Sequence, residues 1–264
     1  MAGAPALDPG GNSEATMNRN PLRIAAACIL VATAQAQVQT SEGPPVPDMD
    51  EQTLQEKYHI PPTRDGLLGA LHHPEGSVRS LAAGFLATAG EKDAVPAILA
   101  AMAVEPIPGV QVLMASAAAR LGSEDGVKAL KIGCEAKRWS PGLRINAALV
   151  MVNLGRNDCL PDVLSLLRSL EANQSAEDNQ AALQGLYLIP RFKAVSPDEL
   201  GEIKHIVPVF LRSGFAPTRA AACFALRQMH ASWATEDLRN ALAVEPEEYV
   251  RDAIEKALAS IGSK

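Results

Sequence analysis

One apolar register returns six times along this chain, at Val78, Val110, Leu143, Asp178, Thr218 and Val250, in steps of 32, 33, 35, 40 and 32 residues. Four positions on stand Ala82, Met114, Ala147, Ala182, Ala222 and Ile254. Eight on stand Leu86, Ala118, Met151, Leu186, Leu226 and Leu258, and eleven on Ala89, Leu121, Leu154, Ile189, Met229 and Ile261. Residues spaced by 4, 8 and 11 share one helix face. Position twelve is Gly90, Gly122, Gly155, Pro190, His230 and Gly262, and glycine there suits a left-handed helix C-cap. A period of this length marks stacked supersecondary units that bury a core only against their neighbours.

A second apolar stripe follows in each unit: Val95, Ile98, Met102; Val127, Leu130, Cys134; Leu160, Val163, Leu167; and in the fifth unit Thr235, Leu238, Leu242. Ala103-Val104-Glu105-Pro106 recurs as Ala243-Val244-Glu245-Pro246, offset by 140 residues, the same offset as Val78 to Thr218. Each unit therefore reads as helix, glycine turn, helix and short loop. The fourth carries about eight extra residues, expected around Arg191 to Val195, and its second helix opens on a Ser196, Pro197, Glu199 capping box. A single helix, Tyr249 to Ile261, closes the array. Glu51 to Tyr58 and Arg64 to Leu71, broken by Ile60-Pro61-Pro62, are expected to cap its front.

Composition agrees. The chain is 47% hydrophobic but only 4% aromatic, because 45 of its 264 residues are alanine. Alanine favours helices and is depleted in strands. Ala82, Ala147, Ala182 and Ala222 share one inward slot, and Ala83, Ala115 and Ala148 another, so small side chains let neighbouring helices approach at each step. The expected fold is all-α: a right-handed α-solenoid of about five to six stacked helical hairpins.

The unit resembles HEAT repeats, in particular the short kind found in phycobilisome lyases. The matching residues are Val78-Arg79, Ala82-Ala83, Leu86, Gly90 and Asp93-Ala94-Val95-Pro96, with similar sets at Leu143-Arg144 and Val250-Arg251. The resemblance covers about residues 65–262 and implies a scaffold that binds partners along a surface. A tetrapyrrole (bilin) lyase-like subunit is the alternative it implies. Gln111 and Asn179 stand where the pattern has Arg, which interrupts any continuous arginine ladder.

Residues 17–36 have the order of a signal peptide: Arg19 and Arg23, an apolar stretch from Ile24 to Thr33, then Ala34-Gln35-Ala36 as a cleavage site. Export to a bacterial periplasm or the medium is expected, with a mature chain from Gln37 and no transmembrane anchor after cleavage. The domain plan is an N-terminal extension and signal over 1–36, a Pro-rich tether over 37–48, capping helices over 49–76 and the repeat domain over 77–264. Asp8 and Glu14 do not suit a signal, which points to Met17 as the initiator. The formal net charge of −6 opposes a nucleic-acid partner, which needs a basic stripe.

No nucleophile elbow, phosphate loop or metal-ligand spacing occurs, so no catalytic, metal or cofactor residues are expected. Cys134, Cys159 and Cys223 occupy packing slots. Cys134 and Cys159 lie eight positions out of register, roughly 12 Å of helix rise. That exceeds the ~7 Å limit on Cα separation in a disulfide, so all three are expected to be free and buried. Arg79, Arg144, Arg219 and Arg251 share one slot and are expected to bond a carboxylate or loop carbonyl of the neighbouring unit. Glu124-Asp125, Asp198-Glu199 and Glu236-Asp237 open second helices and suit their N-termini. The second helices are expected to line the inner curve, with Lys128, Lys131, Arg168, Glu202 and His205 among their polar residues. Alternating charge of this kind suits a protein or peptide partner. Trp139 and Trp233 are candidate interface anchors or loop side chains folded onto the rod.

Overall fold

The computed structural model describes residues 51–170 and 175–262. The segments expected to be a signal (17–36) and a tether (37–48), and the start of the expected capping region, lie outside the described residues.

Thirteen α-helices and no strand occur among the described residues. In chain order they are α1 (Glu51–Tyr58), α2 (Arg64–Ala70), α3 (Gly76–Thr88), α4 (Val95–Ala103), α5 (Pro108–Arg120), α6 (Glu124–Glu135) and α7 (Pro141–Asn153). There follow α8 (Leu160–Leu170), α9 (Ala176–Leu188), α10 (Pro197–Ile206), α11 (Ala216–Gln228), α12 (Thr235–Val244) and α13 (Glu248–Gly262). Helices α3, α5, α7, α9 and α11 are the first helices of the five hairpins, and α4, α6, α8, α10 and α12 the second. Helix α13 closes the array. The protein is an all-helical repeat of stacked hairpins.

The turns of the first, second, third and fifth hairpins obey one rule, while the fourth turns through a 3-10 segment, Ile189–Arg191. Gly90, Gly122 and Gly155 have φ of 74°, 94° and 76°. The N–H groups of Glu91, Ser123 and Arg156 reach back to the carbonyls of Leu86, Ala118 and Met151. This bond satisfies a carbonyl that the helix end would leave orphaned. In the fifth unit His230 takes the glycine's place at φ 48°, and Ala231 N–H still reaches Leu226 O.

Successive first helices pack directly on one another through the alanine slots. Ala82, Ala147 and Ala222 are fully buried and Ala182 is 2% exposed. Helix α5 faces both ways. Val110, Met114, Ala117, Ala118 and Leu121 pack toward the cap and first unit, while Val112, Ala115 and Ala119 join the core that runs on to Ala257. Within one hairpin, α5 and α6 touch at Gly126, where a Cβ would lie 2.7 Å from Ala119 N and 2.9 Å from Ala115 O.

Two expectations are corrected. The extra residues of the fourth unit lie mostly after α10, as a 3-10 segment from Val207 to Arg212, and only partly around Arg191 to Val195. Pro208 has no N–H to return to the preceding turn, so the α-helix gives way there. The expected capping box is present, with Glu199 N–H donating to Ser196 Oγ and Ser196 N–H to Glu199 Oε2.

The second correction concerns the cysteines. Cys134 and Cys159 form a disulfide with Cα atoms 5.9 Å apart. Offset within the repeat does not measure height along the stack. Instead the last turn of α6 meets the first turn of α8, where Lys131 on α6 pairs with Asp162 on α8. Cys223 is free and buried, as its slot predicts, and burial pushes its thiol up to about 12.

Candidate partner-binding edge

Antiparallel hairpins give the array two edges. The glycine turns form one. The loops that join successive units form the other, and there the first helices begin and the second helices end.

The shared arginine slot fixes this second edge. Arg79, at the start of α3, donates through Nε and Nη2 to Glu105 at 2.6 and 2.8 Å. Its Nη1 donates to the carbonyls of His73 and Pro74. One guanidinium thus joins the loop before its unit to the loop after it. Glu105 also accepts the Ile107 N–H at 2.9 Å. In the fifth unit Arg219 does the same with Glu245, the Ser213 carbonyl and, through Glu245, the Glu247 N–H. Glu105 and Glu245 are 4% and 6% exposed and are the only buried carboxylates among the described residues. The repeated Ala-Val-Glu-Pro is therefore explained: its glutamate is the partner of the repeated arginine.

Electrostatics follow from burial and pairing. Burial alone would raise the Glu105 carboxyl, but the Arg79 guanidinium and the Ile107 N–H outweigh it and hold the pKa below its ordinary value. The Arg219 guanidinium holds Glu245 down against a smaller penalty of burial. Both arginines are raised by the same bonds.

The arginine slot is thus a clasp, not a uniform ladder. The carboxylate belongs to the arginine's own unit, and the neighbouring loop supplies only carbonyls. Gln111, in the same slot, donates to the Glu105 carbonyl. Arg144 donates through Nε to the Cys134 carbonyl at 2.9 Å. Burial lowers the Arg144 pKa while Asp162 pulls the other way. Arg251 is exposed.

The edge so fixed is apolar. Eight large hydrophobic side chains are exposed among the described residues: Val104, Ile107, Leu113, Ile132, Tyr187, Phe215, Val244 and Tyr249. Five of these, Val104, Ile107, Phe215, Val244 and Tyr249, sit in or beside the inter-unit loops, and one, Tyr187, sits beside a hairpin turn. Isolated exposed apolar residues are ordinary, but a row on one edge marks an interaction surface. Val104 and Val244 are 78% and 80% exposed and are each followed directly by a clasped glutamate. Repeat periodicity missed these residues because it looks for what is buried. The duplicated tetrapeptide was the available signal.

The residues expected from the sequence fall differently. Lys131 pairs with Asp162 and Glu135, and Arg168 pairs with Glu202 at 3.2 Å. These pairs bridge successive second helices, so the alternating charge of that face is largely neutralised within the chain. Lys128 pairs with Asp125 on its own helix. His205 is exposed on α10. Trp139 is half-buried over Gly133, where a Cβ would lie 2.9 Å from the indole ring. It lies in the loop between α6 and α7, on the apolar edge. Trp233 is half-buried against the main core on the glycine-turn edge. The structure does not bring the seven residues together into one patch. Among the described residues no three His, Cys, Asp or Glu side chains converge as a metal site would require.

No protein-family model matches the chain, and no curated protein matches it in sequence. A solved structure does: the complex of CpcE and CpcF of phycocyanin lyase from Nostoc sp. PCC7120. The match is 17% identical, with a TM-score of 0.43, over 84% of this chain and 99% of that one.

Proposed function

We propose that this chain is an exported, non-catalytic HEAT-repeat scaffold that holds a protein partner along its inter-unit loop edge. The observation that carries the reading is the placement of five of eight exposed large hydrophobic residues on that edge, beside loops clasped by Arg79–Glu105 and Arg219–Glu245. Loops fixed before binding lose little entropy on binding, which favours affinity.

Two features support export: the basic, apolar and Ala34-Gln35-Ala36 sequence of residues 17–36, and the Cys134–Cys159 disulfide. Disulfides persist in oxidising compartments and are rare in the bacterial cytosol. Mass spectrometry of the protein from its native cell should find a terminus at Gln37. A chain retained in the cytosol with residues 17–36 attached would refute export.

The scaffold is tested by affinity capture with three versions of the mature chain. Val104→Asp with Val244→Asp should release the partner that the wild-type chain retains. Leu113→Asp with Tyr187→Asp, exposed away from the edge, should keep it. Equal retention by all three would exclude the loop edge. A chromophore absorption band on the purified chain would favour a lyase-like role over the scaffold.

A further inference from the structure

We propose that the loop between α6 and α7 is the anchor point of this edge for an acidic, apolar-bearing peptide segment of the partner. The inference rests on the scaffold reading and names the chemistry that one part of the edge recognises.

Lys137 and Arg138 are consecutive and exposed, and neither has an ion pair among the described residues. Nearby cations are accounted for differently. Lys131 is held between Glu135 and Asp162. Arg144 spends its Nε on the Cys134 carbonyl and forms no ion pair among the described residues. The corner thus presents unneutralised positive charge on a chain whose formal net charge is −6. Charges left without partners at a surface steer a complementary partner into place.

Trp139 supplies the apolar half. Its ring lies across the last turn of α6 over Gly133, and its backbone N–H donates to the Ala136 carbonyl at 2.8 Å. Most of the residue packs against the core, and its remaining exposed surface follows directly on the two exposed cations in the same loop. Tryptophan and arginine are the residue types enriched at binding anchors. The platform is rigid, because the Cys134–Cys159 bond ties the end of α6 to the start of α8 directly beneath it.

The basic character is local. At the last inter-unit loop, the exposed Glu247 and Glu248 lie between Val244 and Tyr249. A nucleic acid needs a positive stripe along its whole track. A short peptide segment, by contrast, needs only one corner with one anchor, so the charge pattern fits a peptide.

The test is selection from a random peptide display library on the oxidised mature chain. Selected peptides should be enriched in Asp and Glu beside an apolar residue and should quench Trp139 fluorescence, read in a Trp233→Phe background. Lys137→Glu with Arg138→Glu should weaken them about tenfold, as two lost charge pairs imply, and raised salt should weaken them further. Both positions are exposed, so the melting temperature serves as a folding control. Peptides without acidic bias, or unaffected by the double reversal, overturn the inference. If such peptides still compete with Val104→Asp-sensitive binding, the scaffold reading survives alone. Failure to select any edge-dependent peptide overturns both.

Discussion

Arg79 and Glu105 form a two-pronged ion pair, 2.6 and 2.8 Å long, across the open end of the first hairpin. The pair recurs as Arg219 and Glu245 at 2.7 and 2.7 Å, 140 residues later. A buried pair contributes little compared with an apolar replacement, yet removing one partner strands the other charge. Glu105→Ala should therefore destabilise by about 3 kcal/mol. Arg79→Met with Glu105→Leu should recover most of that loss. Urea melts of the three proteins measure it. Equal losses in the single and double variants would show that the charges are not coupled.

The same pairs set a pH dependence. Both carboxyls titrate below their ordinary value in the folded chain. A lowered folded pKa gives stability that is complete above the unfolded value, near about 4.3, and is lost as pH falls through the folded value. Glu105→Gln with Glu245→Gln should flatten the stability profile below about pH 4.5 and leave its neutral-to-acid slope unchanged above that. A parallel acid limb in wild type and variant would refute the assignment.

Cys134 and Cys159 are 25 positions apart and disulfide-bonded. Closing a loop of that length removes about 3.5 kcal/mol of unfolded-chain entropy, so Cys134→Ser with Cys159→Ser should lower stability by up to that amount. Cys223, whose thiol burial raises to about 12, should resist alkylation until the chain unfolds. The mature chain in denaturant without reductant should show one reactive thiol. Three would mean that the disulfide does not form.

These residues show what a repeat register can and cannot reveal. Val78, Ala82, Leu86 and Gly90 were legible as hairpin positions because burial on a helix face and a left-handed turn each demand a residue type at a fixed spacing. Cys134 and Cys159 were not legible as partners, because register gives position within a unit and not the stagger between units. Val104 and Val244 were overlooked because an exposed residue satisfies no packing rule. Lys131 reads from the sequence as open to a partner, whereas the fold pairs it with Asp162 on the next second helix.

Gly126 tests the closeness of one hairpin. An alanine there would gain about 1 kcal/mol in helix propensity. Its Cβ, however, would sit 2.7 Å from Ala119 N and 2.9 Å from Ala115 O, both backbone atoms. Overpacking of this kind costs about 1–3 kcal/mol. Gly126→Ala should therefore lower the melting temperature, whereas Gly201→Ala, with nothing near its Cβ position, should raise it or leave it unchanged. A stabilised Gly126→Ala would mean that α5 and α6 sit further apart.

The glycine turns separate conformation from contact. Gly90, Gly122 and Gly155 have positive φ, and a Cβ at any of them meets nothing within 4 Å. Any loss on substitution is then backbone strain, about 1–2 kcal/mol for an L-residue in the left-handed region. Gly122→Ala and Gly155→Ala should each cost about 1 kcal/mol. His230 already carries that strain at φ 48°, with its Nδ1 3.5 Å from Ser260 Oγ. His230→Gly would relieve it but free the unfolded chain by about 0.4–1 kcal/mol, so its net effect should be small. Thermal melts of the three variants distinguish the cases. A large loss for His230→Gly would show that the imidazole contact, and not the turn geometry, holds the fifth hairpin closed.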